Sequence, residues 1–150
     1  MQQLFAGHGI EERRLFFVDQ VSLEKYFQSY QAIDIALDPF PFPGGTTTCD
    51  ALWMGVPVIA LAGPTPLTRG GLSLLSNAGL PDLVAHSVDD YVCKAAALAR
   101  NLPRLATLRA GLRERMQRSH LMDAPRFARN IEAVYRTMWT RWCGRREDRP

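Results

Sequence analysis

The chain has 150 residues, 47% of them apolar and 22% charged, which suits one globular domain with its own core and excludes a largely disordered chain. No apolar run approaches the roughly 18 residues of a membrane span, and Met1 to Arg14 lacks the basic-then-apolar pattern of a secretory signal. Cys49, Cys93 and Cys143 are odd in number, far apart and without a CxxC pair or a His cluster, so neither a disulfide framework nor a zinc site is expected and the setting reads as cytoplasmic.

The net charge of +3 is unevenly placed. Residues 1–99 carry 5 basic and 10 acidic side chains, whereas residues 100–150 carry 13 Arg and 5 acidic residues. The Arg residues follow helical patterns and are not interleaved with aromatics expected to be exposed, so they read as solvated helix faces and a basic tail. Neither nucleic acid nor a membrane is expected as a partner.

Leu15 to Val18, LFFV, is a short β-prone run. Ser22 is placed to cap a helix through Tyr30, with Leu23, Tyr26, Phe27 and Tyr30 at helical spacing. Ile33 to Leu37 reads as a second strand, ended by Asp38 and by Pro39, Pro41 and Pro43. Gly44 and Gly45 follow, and TTTCDALWMG opens a helix. Val56 to Leu61 is continuously apolar, as a buried parallel strand should be. Residues 66–78 form a further helix beginning near Thr65 or Thr68 and closing at Gly79, then Leu83 to Ala85 form a brief strand. Ser87 and Asp90 resemble a capping box for a helix over 88–101.

Strand and helix therefore alternate, which predicts an α/β fold with a parallel sheet covered by helices on both faces. From Pro103 onward the pattern is helical throughout. Phe127, Ile131, Val134, Tyr135, Met138, Trp139 and Trp142 line one face of a long amphipathic helix and are expected to pack in the core. Residues 1–143 read as one domain and 144–150 as a flexible tail.

The chemistry concentrates between Asp34 and Gly55, where a parallel strand ends, a Pro/Gly loop follows and a helix opens with three threonines. Ligands of open α/β sheets sit beyond the carboxyl ends of the strands, and a helix N-terminus offers unpaired N–H groups to phosphate oxygens. Gly44 and Gly45 let the backbone come close to an anion, and Thr46 and Thr47 add hydroxyl donors, one of which can double as the N-cap. Asp50, one turn into the helix, can accept hydrogen bonds from a ribose diol. A plain Thr-rich cap with a buried Asp is the alternative on these residues alone. GxGxxG and GxxxxGK[ST] are both lacking. His8, His86 and His120 are isolated and read as surface residues. Cys49 lies early in the same helix, where a dipole could lower its pKa, but it reads as a packed small side chain.

LDPFPFPGGTTTCDALWMGVPVIALAG, followed by TRGGLSLLSNAGLPDLVA and the closing AVYRTMW, resembles the C-terminal region of the O-linked N-acetylglucosamine transferase family, SPINDLY-like and of bacterial type. The resemblance runs from about Met1 to Trp142. It implies the C-terminal, Rossmann-like half of a GT-B glycosyltransferase, UDP-N-acetylglucosamine as donor, a Ser or Thr of a protein as acceptor, and no metal or other cofactor. Gly45, Thr46 and Thr47 match the family's diphosphate-binding motif, and Asp50 matches its ribose-binding acid. Val21 to Tyr26 match the segment framing uracil and ribose, with the Val21 backbone expected to read the base edge.

Three positions depart from animal members. Gly45 stands where they have a His, Leu23 where they have a ribose-binding Lys, and Tyr26 where they have a His near the uracil. Tyr26 can still stack on a base, whereas Leu23 cannot donate a hydrogen bond. The resemblance also implies that the first strands of this half, its phosphate-binding Lys and the whole N-terminal half are missing. Arg69 is then the one conceivable cation for the diphosphate, its alternative being an ordinary surface Arg, and no general base can be assigned. The chain is thus expected to be incomplete as a catalyst alone and to self-associate through an exposed sheet edge at LFFV or its neighbour. The alternatives are a non-catalytic nucleotide-binding or interaction module left by truncation, and a hexosyltransferase using UDP-glucose.

Overall fold

The computed structural model describes residues 2–147. A short helix, α1 (Gln2–Ala6), precedes α2 (Leu23–Ser29), β1 (Ala36–Leu37), α3 (Thr46–Trp53), β2 (Val58–Leu61), α4 (Gly70–Asn77), β3 (Val84–Ala85), α5 (Val88–Arg100), α6 (Leu102–Gln117) and α7 (Ala124–Glu147). The strands run parallel in the order β1-β2-β3, with Ala36 opposite Val58, Leu37 opposite Ile59, and Ala60 opposite Val84. Each strand leaves at its carboxyl end for the helix that follows, so the N-termini of α3, α4 and α5 face one edge of the sheet. Among the described residues, no helix is long and apolar enough to cross a membrane.

Local chemistry accounts for most boundaries. The Ser22 hydroxyl accepts the Lys25 N–H at the start of α2, and the Ser87 hydroxyl accepts the Asp90 N–H at the start of α5. The Asp90 carboxylate in turn accepts the His86 N–H, which completes a capping-box-like pair. Gly55 and Gly79 close α3 and α4 at φ of +80° and +71°, a left-handed conformation that costs a residue without a Cβ almost nothing. Residues 66–78 divide into a tight turn, Leu67–Arg69, and α4, because Thr65 and Thr68 satisfy one another's backbone N–H groups.

Ile59 and Ala60 of β2, Leu52 of α3, Leu75 of α4, Leu98 of α5 and Leu112 of α6 fill the core. Helix α6 lies over α3 and α5 and uses its arginines on backbone carbonyls. Arg109 donates to the Ile33 and Asp34 carbonyls, Arg113 to that of Trp53 and Arg115 to that of Gly79. Part of the C-terminal positive charge thus ties loops and helix ends in place, beyond the solvated faces expected.

Three expectations are corrected. LFFV belongs to no strand of the sheet, and Phe16 is 88% exposed. β propensity mainly measures fit to a neighbouring strand, and here none lies alongside. Of Ile33 to Leu37, only Ala36 and Leu37 enter the ladder. Finally, the aromatic stripe of α7 is not core: Phe127, Val134, Tyr135, Met138 and Trp139 are all more than half exposed. This 24-residue helix is about 36 Å long and packs near its N-terminal end, against the turn His120–Met122. It is helical as far as Glu147, and residues 148–150 of the expected tail lie outside the described residues.

Candidate functional site

The carboxyl end of β1 leads through the Pro/Gly loop into α3. The N-cap is Gly45, and no side chain caps the helix. The expected capping by Thr46 or Thr47 does not occur, because the residue that breaks into helix lies one position earlier and has no side chain. Thr46 and Thr47 remain exposed, and the first-turn N–H groups of α3 lack an internal side-chain acceptor.

The two glycines differ in what they permit. A Cβ on Gly44 would stand 2.6 Å from the Thr47 and Thr48 hydroxyls and 3.0 Å from Asp38 Oδ1, so the protein's own packing demands glycine there. A Cβ on Gly45 would meet nothing within 4 Å. Its φ of −118° needs no glycine either, so Gly45 leaves open space in front of the helix N-terminus.

Asp50 is half-buried, and its Oδ2 accepts a 3.0 Å hydrogen bond from the Tyr26 hydroxyl. The Tyr26 and Tyr30 hydroxyls lie 2.7 Å apart, and Tyr30 donates to the Thr47 carbonyl at 3.3 Å. Helices α2 and α3 are therefore joined by a chain of hydroxyls ending on the carboxylate. Burial, and then hydrogen bonding to Tyr30 and Asp50, push the Tyr26 phenol well above its usual range, so it stays a neutral donor. Tyr26 also packs edge-on against Phe27 and Tyr30, at centroid distances of 5.2 and 5.3 Å. A hollow of about 680 Å³ beside it is lined by Val18, Val21, Leu23, Tyr26, Tyr30 and Ile33 among others. Tyr30 also lines a smaller cavity of about 170 Å³ with Asp38, Thr47 and Thr48. The structure thus brings Tyr26, Thr47 and Asp50 together through Tyr30 and puts Val21 in the adjoining hollow.

Arg69 ends the turn before α4, is exposed, and makes no side-chain bond among the described residues. Its neighbour Gly70 abuts the loop, since a Cβ there would lie 3.4 Å from Pro43 and 4.0 Å from the Gly44 carbonyl. Burial, and then the Asp50 charge, raise the Cys49 thiol above its usual value, so it stays a packed, protonated side chain. His8, His86 and His120 lie on the surface. No group of three or more His, Cys, Asp or Glu suited to a metal occurs among the described residues.

Tyr30, Asp38 and Thr48 are residues that the sequence reading missed. The signal for Asp38 was an acid directly after the end of a strand, at the start of the loop. Its carboxyl is pushed above the ordinary 3.8, mainly by burial and against the opposing bonds from Gly44 and Thr48. The native state then holds this proton more tightly than the unfolded chain does, so stability falls as pH rises from 3.8 toward the raised value. Asp38→Asn is expected to flatten this part of the profile, measured as melting temperature against pH; an unchanged slope would contradict the assignment.

The model of "Glycosyl transferase family 41" matches residues 1–131. A probable UDP-N-acetylglucosamine--peptide N-acetylglucosaminyltransferase SPINDLY of Solanum lycopersicum is 43% identical over 136 residues, covering 90% of this chain and 15% of that protein. The probable transferase SEC of Arabidopsis thaliana is 32% identical, covering 92% of this chain and 14% of its own length. Among solved structures, a mutant O-GlcNAc transferase of Thermobaculum terrenum superposes with a TM-score of 0.87 at 36% identity, over 95% of this chain and 28% of the other. The chain thus spans about one seventh of the length of these plant relatives.

Proposed function

The chain belongs to glycosyl transferase family 41, the O-GlcNAc transferase family, and from this we propose that residues 1–143 supply the nucleotide-sugar-binding part of a transferase moving N-acetylglucosamine from its UDP donor to Ser or Thr of proteins. The observation that carries the reading is the uncapped N-terminus of α3 at the carboxyl edge of the sheet, with Thr46 and Thr47 exposed in front of it. In this reading the diphosphate takes the first-turn N–H groups and the two threonine hydroxyls, with Gly45 leaving room for it. Asp50 accepts from the ribose diol, held by Tyr26. The base enters the hollow beside Tyr26 and meets the Val21 backbone.

Transfer requires an acceptor hydroxyl to attack the anomeric carbon as UDP leaves. The chain's contribution is to bind and stabilise that leaving group, with the dipole of α3 and the charge of Arg69 offsetting the negative charge that develops on it. A general base and further positive charge are assigned to regions present in the longer relatives.

The test is calorimetric titration of UDP, with ADP and GDP as controls, into the purified chain and into three variants. Thr47→Ala and Asp50→Ala are each expected to weaken UDP by about tenfold, the scale of a hydrogen bond involving a charged partner. Arg69→Ala is expected to weaken it less and to reduce its salt dependence. A folded chain that ignores UDP, or variants that bind as tightly as the parent, would contradict the reading and favour a non-catalytic module.

A further inference from the structure

Asp38 lies at the crossing of four elements. Its Oδ1 accepts the Gly44 N–H at 2.7 Å and the Thr48 hydroxyl at 3.4 Å. Its main-chain carbonyl accepts the hydroxyl of Tyr91, from α5, at 2.9 Å. Its Oδ2 is buried without a hydrogen-bond partner among the described residues. A Cβ on Gly71 would stand 2.9 Å from this oxygen, so the first turn of α4 backs onto the carboxylate. The residue is only 6% exposed. An orphaned carboxylate oxygen at such depth costs stability, a cost that an apolar side chain filling the same space would avoid.

What the carboxylate secures is the loop. It holds the Gly44 backbone on one side and the first turn of α3 on the other, so the path of Gly45, Thr46 and Thr47 between them is fixed. It also commits the Gly44 N–H inward, so that in this reading the ligand is left the first-turn N–H groups of α3.

We propose that Asp38 is the positioning residue of the diphosphate loop, clamping Gly44 to Thr48 so that the uncapped N–H groups of α3 converge on the ligand without Asp38 touching it. The proposal rests on reading α3 as the diphosphate site. It predicts a selective defect: loss of the clamp disturbs the diphosphate and spares the nucleoside, which is held by Asp50, Tyr26 and Val21.

The experiment measures UDP and uridine binding to the full chain and to Asp38→Ala, Asp38→Asn and Thr48→Val, together with amide hydrogen exchange without ligand. Asp38→Ala is expected to weaken UDP about tenfold and leave uridine within about twofold. Asp38→Asn keeps an acceptor oxygen and is expected to stay within about threefold of the parent for UDP. Thr48→Val removes half of the clamp without burying a new polar group, and carries the test if the alanine variant does not fold; it is expected to weaken UDP about threefold and spare uridine. In the clamp variants the amides of Gly44 to Thr47 should exchange about tenfold faster while those of Ile59 and Ala60 are unchanged. Equal losses for UDP and uridine, or uniformly faster exchange, would reduce Asp38 to a structural residue and overturn the proposal. If the parent chain binds no UDP, the site reading fails, and exchange alone decides the clamp: an undisturbed Gly44 amide in the variants overturns it.

Discussion

Gly71→Val is expected to lower the unfolding free energy by about 3 kcal/mol or more, the upper end of the cost of forcing extra volume into a packed core. Gly71 is buried in the first turn of α4, where a Cβ would stand 2.5 Å from the Ala60 Cβ and 2.9 Å from Asp38 Oδ2. Ala60 sits on the central strand, fully buried and opposite Val84, so it cannot retreat without breaking the sheet. Helix α4 must move instead, carrying Leu75 out of the core. Gly45→Ala is the matched control, because its Cβ would enter open space, and its stability should stay within about 0.5 kcal/mol of the parent. Urea unfolding of the two variants checks both values. A Gly71→Val protein as stable as the parent would mean that α4 does not pack against β2 as described.

Self-association of the isolated chain is the second large effect expected. Phe127, Val134, Tyr135, Met138 and Trp139 project from one long helix, and Trp139 alone is 63% exposed. An aromatic side chain brings 150–250 Å² to an interface, so these few residues exceed the apolar patch that a soluble monomer usually leaves uncovered. The edge strand β1 offers only two ladder residues, and Phe16 and Phe17 add exposed apolar surface in a segment outside the sheet. The larger apolar area is therefore on α7. At about 100 µM and low salt, the parent should elute from size exclusion as a dimer or larger species, and Tyr135→Glu with Trp139→Glu should elute as a monomer. Phe16→Asp should have the smaller effect. A monomeric parent under these conditions would contradict the prediction.

These cases also mark what could be read from the sequence. The caps at Ser22 and Ser87 and the stop at Gly79 were legible because each depends on a few adjacent residues. The parallel sheet was legible from the spacing of its apolar runs. LFFV was misread because a strand needs a neighbour, and no local pattern reports whether one is present. The stripe on α7 was misread for a related reason: periodicity shows that one face is apolar, and says nothing about which polypeptide covers it. Within the site, Thr46, Thr47 and Asp50 stood out by residue type at a helix start. Tyr26 was singled out for a base, yet its hydroxyl is engaged by Asp50 and Tyr30. Asp38 and Thr48 act through contacts that span six and ten residues across the loop, which no spacing rule anticipates.

The most direct test of the central claim is to follow the backbone amides of the isotope-labelled chain by NMR while UDP is added. The largest shifts should fall on Gly45, Thr46 and Thr47, with smaller ones at Asp50 and Val21 and none along α7. Shifts centred elsewhere, or none at millimolar UDP in a folded chain, would show that the N-terminus of α3 is not a diphosphate site.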